Sequence, residues 1–353
     1  TFARNPDYWG HDPFFPENQL PYVDGFKLLI IPDLSTQMAA LRTGKIDNLP
    51  SAGVDSPPII DVETAQSLMK TNPELQWVRY LSNAQGGKIN MRVDTKPFDD
   101  IQVRRALQLA VNQPEILELY WGGDGVLFNW PVYASLEYSP FYKPLEDYPE
   151  SVRELYEYHP DKARQLLTEA GYPNGFKTSV VALNTHVDLL SVIKEYWAKI
   201  GVDLTIDVKS STVHRTMLAR KQHTEMIMAD GVSGPGLVWT ADIRKGGGQN
   251  YSILDEPWWE VAYYRMVETY FDPGTYGGFV PAIHEPLAPD QPTWAVYTNE
   301  QSWWINLPAP YLYTFWQPWL KNYYGAMMTY YGSSLGWTRY AWLDQELKKA
   351  MGH

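Results

Sequence analysis

The segment from residue 178 to residue 229 constrains the fold most, because its hydrophobic periodicity changes in a regular order. Thr178–Leu183 is a short apolar run that predicts a buried strand, and Val202–Val208 alternates apolar and polar residues with a period of two. Between them, Val187–Ile200 carries apolar residues at helical spacing. A helix over about Thr212–Lys221 and a short strand at Glu225–Ala229 follow. This order predicts an α/β domain with a parallel or mixed sheet and right-handed crossovers.

The ends of these strands are the first place to expect a ligand. Open sheets of this kind bind ligands just outside the carboxyl ends of their strands, and the loops at these ends begin at Asn184 and at Asp230. Asp230 offers a carboxylate that can accept a charge-assisted hydrogen bond from a cationic or hydroxyl group. Trp239, further along the second loop, offers a large aromatic face. Both are predicted ligand-binding residues.

A loop rich in Gly, Trp and Pro spans Trp121–Ala134. The chain contains 15 Trp and 25 Tyr, more than core packing usually requires, and aromatic rings are common walls of small-molecule pockets. Asn129 and Trp130 are predicted to line the same ligand-facing surface as Asp230 and Trp239. Trp121 is a further candidate. For each ring, packing in the core is the alternative.

The first fifty residues predict a strand followed by a helix. Phe26–Ile31 is apolar and strand-like, Ser35 is a plausible N-cap, and Met38 and Leu41 share the inward face of the helix. Gly44 can end this helix in a left-handed conformation. Further strands are predicted at Ile46–Leu49, Leu75–Leu81 and Tyr311–Phe315, and a loop at Ser51–Pro58.

Other helices are predicted from capping residues and from Pro and Gly residues at helix ends. Asp99 or Asp100 can cap one helix, and Pro160 begins another that Gly171 follows. Apolar spacing places on the inward faces of helices the residues Val103, Leu107, Val111 and Trp197. In the Tyr- and Trp-rich tail, helices are predicted at Pro292–Trp304 and Trp342–Met351. The four histidines that lack metal-binding spacing and are expected in solvent or at caps are His159, His186, His214 and His223.

Charge and cysteine content exclude several classes of function. The net charge is -12, which disfavours binding to nucleic acid or to anionic membranes. Cysteine is absent, so disulfides and Cys-ligated metals are excluded. The sequence has no apolar run of the roughly 18 residues that a membrane-spanning helix needs.

A series of short stretches in a fixed order carries a family resemblance. The stretches are Asn5–Trp9, Leu20–Asp24, Ser35–Asp47, Lys96–Asp100, Val103–Asn112, Asp161–Tyr172 and Ile193–Ile206. Together they resemble the family 5 extracellular solute-binding proteins, which are the peptide, nickel and oligosaccharide receptors of ABC importers. Peptide-binding members carry an acidic residue in a segment that contains a tryptophan. This acidic residue pairs with the amino terminus of the bound peptide. Asp230 occupies the corresponding region of this chain.

The resemblance implies a periplasmic-binding-protein-like, two-lobed α/β fold of class II, cluster C type. On that fold, residues 1–86 are the late part of lobe one, 87–307 form lobe two, and 308–353 return to lobe one. The N-terminal part of lobe one is expected to be missing. A chain without it is expected to bind the physiological ligand more weakly than the complete protein does.

The function that the resemblance implies is capture of a solute rather than catalysis. Lobe closure around a peptide-like or other small organic solute would precede delivery to the permease subunits of an ABC importer. Such a protein is extracytoplasmic, either periplasmic or lipid-anchored at the cell surface. It is expected to be a monomer with no cofactor, no metal ion and no catalytic residue. The alternative is an oligosaccharide-binding protein or an extracellular carbohydrate-active enzyme, and the enzyme needs two carboxylates that face each other across a cleft.

Overall fold

The computed structural model describes residues 1–50, 60–81, 87–132, 134, 142–229, 244–257, 259–261, 263–264, 286, 291–325 and 336–353. The chain divides into two compact units. Of the described residues, the first unit contains 1–50, 60–80 and those from 312 to 353, and the second contains those from 81 to 311. The lobe boundaries expected from the sequence remain a prediction.

The described strands are β1 (Phe2–Ala3), β2 (Gly25–Phe26), β3 (Asn48–Pro50), β4 (Gln76–Leu81), β5 (Lys88–Met91), β6 (Gly125–Val126), β7 (Lys177–Ala182), β8 (Asp203–Val208), β9 (Met226–Ala229), β10 (Trp304–Asn306), β11 (Ala309–Trp316), β12 (Leu320–Lys321) and β13 (Trp342–Leu343). The described α-helices are α1 (Leu34–Arg42), α2 (Val62–Thr71), α3 (Ile101–Leu109), α4 (Gln113–Glu115), α5 (Glu150–Arg153), α6 (Pro160–Glu169), α7 (Val187–Ala198), α8 (Ser211–Arg220), α9 (Trp294–Glu300) and α10 (Gln345–Ala350). A π-helical turn covers Ile116–Tyr120, and short 3₁₀ turns cover Leu145–Asp147, Glu154–Tyr156, Asn184–His186 and Gly336–Arg339.

The second unit is built on a mixed five-stranded sheet with the strand order β10–β5–β9–β7–β8. β7 pairs in parallel with β8 and with β9, whereas β5 pairs antiparallel with β9 and with β10. Helix α7 connects β7 to β8, and α8 connects β8 to β9. The strand–helix–strand–helix–strand order predicted for residues 178–229 is therefore confirmed, and of the parallel or mixed sheet that was expected the structure shows a mixed one.

The helices of the second unit pack through the residues that their spacing placed inward. Val103, Leu107, Val111 and Trp197 are all fully buried, as predicted. The indole Nε1 of Trp197 donates to the carbonyl oxygen of Leu107 at 3.0 Å, which connects α7 to α3. Asp100 is the residue that caps α3, because its side chain accepts from the backbone N–H of Gln102 at 2.8 Å.

The first unit contains a sheet with the strand order β3–β11–β4, in which β3 and β11 are antiparallel. Helix α1 contributes Met38 and Leu41 to its hydrophobic core, alongside Leu49 and Phe315. Gly44 follows α1 with a φ of +65°, as predicted for a left-handed helix end. Strands were expected at 75–81 and 311–315, and they are observed as β4 and β11.

Two expectations for the N-terminal region are wrong. The strand predicted at Phe26–Ile31 is limited to β2, which pairs with β1, and Ile30 is 91% exposed. An apolar run becomes a strand only where a neighbouring strand satisfies its backbone groups, and the described residues place none beside 27–31. The cap of α1 is Asp33 rather than Ser35, because Asp33 Oδ1 accepts from the Thr36 N–H at 2.7 Å.

Several predicted boundaries shift where local capping outweighs apolar spacing. The helix expected at Pro292–Trp304 is limited to α9, and the chain turns at Ser302, whose φ is +46°, before Trp304 enters β10. The helix expected at Trp342–Met351 divides into β13 and α10, because the Asp344 side chain accepts from the Leu347 N–H at 3.0 Å. The strand expected at Ile46–Leu49 is observed as β3. The loop expected at Ser51–Pro58 lies outside the described residues.

Candidate ligand-binding site

The carboxyl edge of the sheet in the second unit is the natural location for a ligand. β8 lies on one side of β7 and β9 on the other, so the two crossovers run in opposite directions. Open α/β sheets bind ligands at such a switch point, outside the carboxyl ends of the strands. Ala182 and Ala229 are the last residues of the two strands that flank this point. The loop after β7 begins with the Asn184–His186 turn.

Lys88 is at this edge and was not singled out by sequence reasoning. It is the first residue of β5 and lies opposite Ala229 of β9 and Asn306 of β10. Its side chain is only 7% exposed. The ammonium Nζ lies 3.4 Å from the ring centroid of Trp130 and 4.7 Å from that of Trp304. The sequence signal for Lys88 is weak, because this lysine is one charged residue at the start of a four-residue strand.

The electrostatics of Lys88 are unusual for a lysine. Its Nζ is buried and has no hydrogen-bond partner among the residues that the structure describes. Burial disfavours the charged form and holds the pKa of the Lys88 ammonium well below its ordinary value. The faces of the two indole rings attract the ammonium and offset part of this cost.

Trp130, a predicted site residue, lies beneath this lysine in a cluster of aromatic rings. It is 1% exposed. Its ring centroid is 4.9 Å from that of Trp304 in a perpendicular arrangement and 6.3 Å from that of Trp294. Its Nε1 donates to the Oγ1 of Thr298 at 3.3 Å. In this structure Trp130 is therefore a core ring that also forms the floor under the Lys88 ammonium.

The other described candidates are also buried. Asn129 directly precedes Trp130, and its Oδ1 accepts from the backbone N–H of Ala134 at 3.0 Å. Trp121 packs edge-on against Tyr120, with ring centroids 4.7 Å apart. The loop that carries Trp130 thus folds inward rather than over the surface. Contact of Asn129, Trp130 and Trp121 with a ligand remains a prediction.

Asp230 and Trp239 lie outside the described residues. Asp230 directly follows β9, whose last residue Ala229 is the strand partner of Lys88. Asp230 is therefore the first residue after the carboxyl end of β9. Its role in a site remains a prediction.

Three of the four histidines are buried, and for His214 and His223 this corrects the expectation that they serve solvent or capping roles. Nε2 of His214 lies 2.8 Å from the carbonyl oxygen of Met228, and Nε2 of His223 lies 2.8 Å from that of Tyr251. The hydrogen bonds to these backbone carbonyl oxygens offset the free-energy cost of burying a polar imidazole ring. His186 has the expected capping role, because its Nδ1 accepts from the Leu183 N–H at 3.2 Å. His159 is partly exposed beside Glu157.

The described part of the chain lacks both a metal-binding cluster and a membrane-spanning helix. It holds no group of three or more His, Cys, Asp or Glu side chains placed to bind a metal ion. Within the same residues, no helix has both the length and the apolarity to cross a membrane.

Solved structures show the fold. The chain is similar to the ABC transporter-associated periplasmic binding protein DppA from Helicobacter pylori in complex with the peptide STSA, with a TM-score of 0.70 and 20% identity. That comparison covers 97% of this chain and 60% of DppA. The oligopeptide-binding protein AppA from Bacillus subtilis in complex with a nonapeptide gives a TM-score of 0.63 at 17% identity, over 89% of this chain and 59% of AppA. The chain therefore has the α/β fold of these two-lobed periplasmic binding proteins, over the part that it covers.

Sequence comparison identifies the family. Residues 1–246 match the family described as bacterial extracellular solute-binding proteins, family 5 Middle, and the chain belongs to this family. It is 30% identical over 209 residues to heme-binding protein A from Haemophilus influenzae, which is 57% of this chain and 33% of that protein. It is also 30% identical over 186 residues to the glutathione-binding protein GsiB from Escherichia coli, which is 52% of this chain and 32% of GsiB. The chain thus matches about a third of the length of these curated relatives.

Proposed function

We propose that this chain captures solute for a bacterial ABC importer and delivers it to the permease subunits. The family match over residues 1–246 is the observation that carries this proposal. Members of the family are binding proteins of transport systems rather than enzymes. The protein is accordingly proposed to act outside the cytoplasm, in a periplasm or anchored by lipid to the cell surface.

The proposed mechanism is conformational. A solute that contacts both lobes binds the closed state better than the open state and shifts the equilibrium toward closure. The closed form is then the one that docks on the permease. Residues 1–86 and 308–353 are proposed to belong to lobe one and 87–307 to lobe two. No covalent bond of the solute changes in this cycle.

The proposed solute is peptide-like. Support comes from the two structural neighbours that hold peptides and from the relative named for glutathione binding. Isothermal titration calorimetry of the full-length protein against Ala-Ala-Ala, reduced glutathione and maltotriose tests the class. We expect saturable binding of a peptide and no product in the recovered ligand by mass spectrometry. Hydrolysis of the oligosaccharide without peptide binding would contradict the proposal.

Asp230, Trp239, Asn129 and Trp130, with Trp121, are the proposed ligand-binding residues. Asp230 would fix a cationic or hydroxyl group of the solute, and the aromatic residues would supply apolar contact. The support is positional, because Asp230 directly follows β9 at the carboxyl edge of the sheet.

Trp239→Ala in the full-length protein is expected to weaken solute binding by about 1–3 kcal/mol, the range for losing a well-buried side-chain contact. Asp230→Asn is expected to weaken it as well, because a charged hydrogen bond becomes a neutral one. Calorimetry measures both affinities, and unchanged circular dichroism shows that the second unit stays folded. Trp9→Ala is the control, since Trp9 is 84% exposed in the first unit. Unchanged affinity in both variants would place the site elsewhere.

A further inference from the structure

We propose that the Lys88 ammonium binds a carboxylate of the transported solute, with the rings of Trp130 and Trp304 holding the ammonium in position. This inference rests on the proposed function, and it names the chemical class of the solute. It adds an anion-binding group to a site whose other proposed residues are acidic, aromatic or neutral.

The position of Lys88 carries the first step. Pairing opposite Ala229 and Asn306 fixes Lys88 at the carboxyl edge of β9, beside the switch point between β7 and β9. Directly paired residues of neighbouring antiparallel strands have side chains on the same face of a sheet. The same face therefore carries Trp304, which is two residues from Asn306, and its ring lies under the ammonium. The lysine is thus placed by the sheet itself and not by a loop.

The second observation is that Lys88 Nζ has no hydrogen-bond partner among the described residues. An ammonium has three N–H donors, and no described residue accepts a hydrogen bond from Nζ of Lys88. The described ion pairs do not include it either. Replacing a buried charge by an apolar side chain of similar size is often neutral or stabilising, so packing alone does not require a lysine here. A group that the fold does not need, at the edge where ligands bind, indicates a ligand contact.

The chemistry of the site selects the partner. The centroids of the two indole rings lie 3.4 Å and 4.7 Å from Nζ, and no described residue accepts a hydrogen bond from it, so its donors are left for an acceptor that a ligand supplies. A carboxylate offers two oxygens and a full negative charge, which makes the strongest hydrogen bonds to an ammonium. The chain has a net charge of -12, so an anionic solute needs a local cation to overcome the general repulsion.

Protonation gives the proposal a distinct signature. In the ligand-free protein, burial lowers the pKa of Lys88, which favours the neutral amine. A carboxylate beside it favours the ammonium and raises the pKa again. At a pH between the pKa of Lys88 without the carboxylate and its pKa with the carboxylate, binding of a carboxylate should therefore be accompanied by uptake of a proton, whereas binding of the matching amide should not.

The test compares Ala-Ala-Ala with Ala-Ala-Ala amide by calorimetry on the full-length protein, in two buffers of different ionisation enthalpy. The wild-type protein is expected to bind the acid about tenfold or more tightly than the amide, the size of effect that one charged hydrogen bond gives. Proton uptake should accompany the acid only. Lys88→Met should abolish both differences. Lys177→Met is the matched control, because Lys177 is an exposed lysine at the opposite end of β7, and it should keep both.

Thermal unfolding and an acetate titration separate a lost ligand contact from misfolding and from a wrong choice of solute. Lys88→Met should unfold at the same temperature as the wild-type protein or a higher one, so lost discrimination cannot be attributed to misfolding. Acetate titrated at constant ionic strength should shift the Lys88 ε-carbon resonance in nuclear magnetic resonance spectra, whatever the natural solute is. If no peptide binds but acetate shifts this resonance, the peptide class fails and the Lys88 site stands.

Three results would overturn the Lys88 proposal. One is equal affinity of the wild-type protein for the acid and the amide, and another is discrimination that survives in Lys88→Met. The third is an ε-carbon resonance of Lys88 that is already that of a paired ammonium without ligand, since an acidic group of the protein would then be its partner.

Discussion

Trp130→Ala is expected to lower the free energy of unfolding by about 3–5 kcal/mol, the range for truncating a large buried aromatic side chain. Trp130 is 1% exposed and packs against Trp304 and Trp294. Its removal would leave a cavity beneath the Lys88 ammonium and would leave Thr298 without the indole donor at 3.3 Å. The loss should therefore exceed that of an average point mutation, which is about 1 kcal/mol.

Urea denaturation followed by circular dichroism measures this loss. Trp130→Phe keeps a ring in the cluster and should cost clearly less than Trp130→Ala. Trp9→Ala removes an exposed indole and should change stability by no more than about 0.5 kcal/mol. If Trp130→Ala weakens solute binding but leaves stability unchanged, the ring acts on the ligand and is not part of the core. A loss of stability alone would remove Trp130 from the proposed ligand-binding residues.

The parallel part of the sheet in the second unit, which consists of β7, β8 and β9, could be predicted because its sequence signals are local and agree with one another. β7 and β8 show buried and alternating patterns, α7 has helical spacing, and Gly201 ends that helix with a φ of +84°. Each of these signals depends on neighbouring residues only. The order of elements then restricts the topology through the handedness of the crossovers.

The absence of a strand over 27–31 could not be predicted by the same reasoning, and residues 27–30 are exposed. Leu28, Leu29 and Ile30 form an apolar run, but a strand also needs a partner along its edge. Whether a partner is present depends on residues far away in the sequence. Periodicity reports which face of an element is apolar, and it carries no information about pairing.

The environment of Lys88 illustrates the same limit at the candidate site. Trp130 and Trp304 come from distant parts of the chain and meet the lysine only after β5 and β10 pair. In the sequence, Lys88 is a single lysine outside every predicted helix and strand. The Trp121–Ala134 loop raised the opposite difficulty, because Gly and Pro suggested a surface loop although Trp130 packs into the core.

Stability should also fall in mild acid, and His223 is expected to account for about 3 kcal/mol of the loss. The ring is fully buried, and burial lowers the pKa of His223 to about 4. In the unfolded chain a histidine has its ordinary pKa of about 6.5. Between these two values the unfolded chain binds a proton that the folded protein excludes. The contribution is therefore complete above about pH 6.5 and is lost as the pH falls toward about 4.

The free energy of unfolding measured by urea denaturation at a series of pH values tests this prediction. His223→Gln can still donate to the carbonyl oxygen of Tyr251, which Nε2 of His223 contacts at 2.8 Å, but it cannot take up a proton. Its stability should therefore fall less steeply than that of the wild-type protein between about pH 6.5 and 4, with the two curves separating by about 3 kcal/mol over this interval. His11→Gln, at an exposed position, should follow the wild-type curve. Parallel curves for the wild-type protein and His223→Gln would mean that His223 accepts its proton in the folded state, and that the buried ring has an acidic or solvent partner outside the contacts described for it.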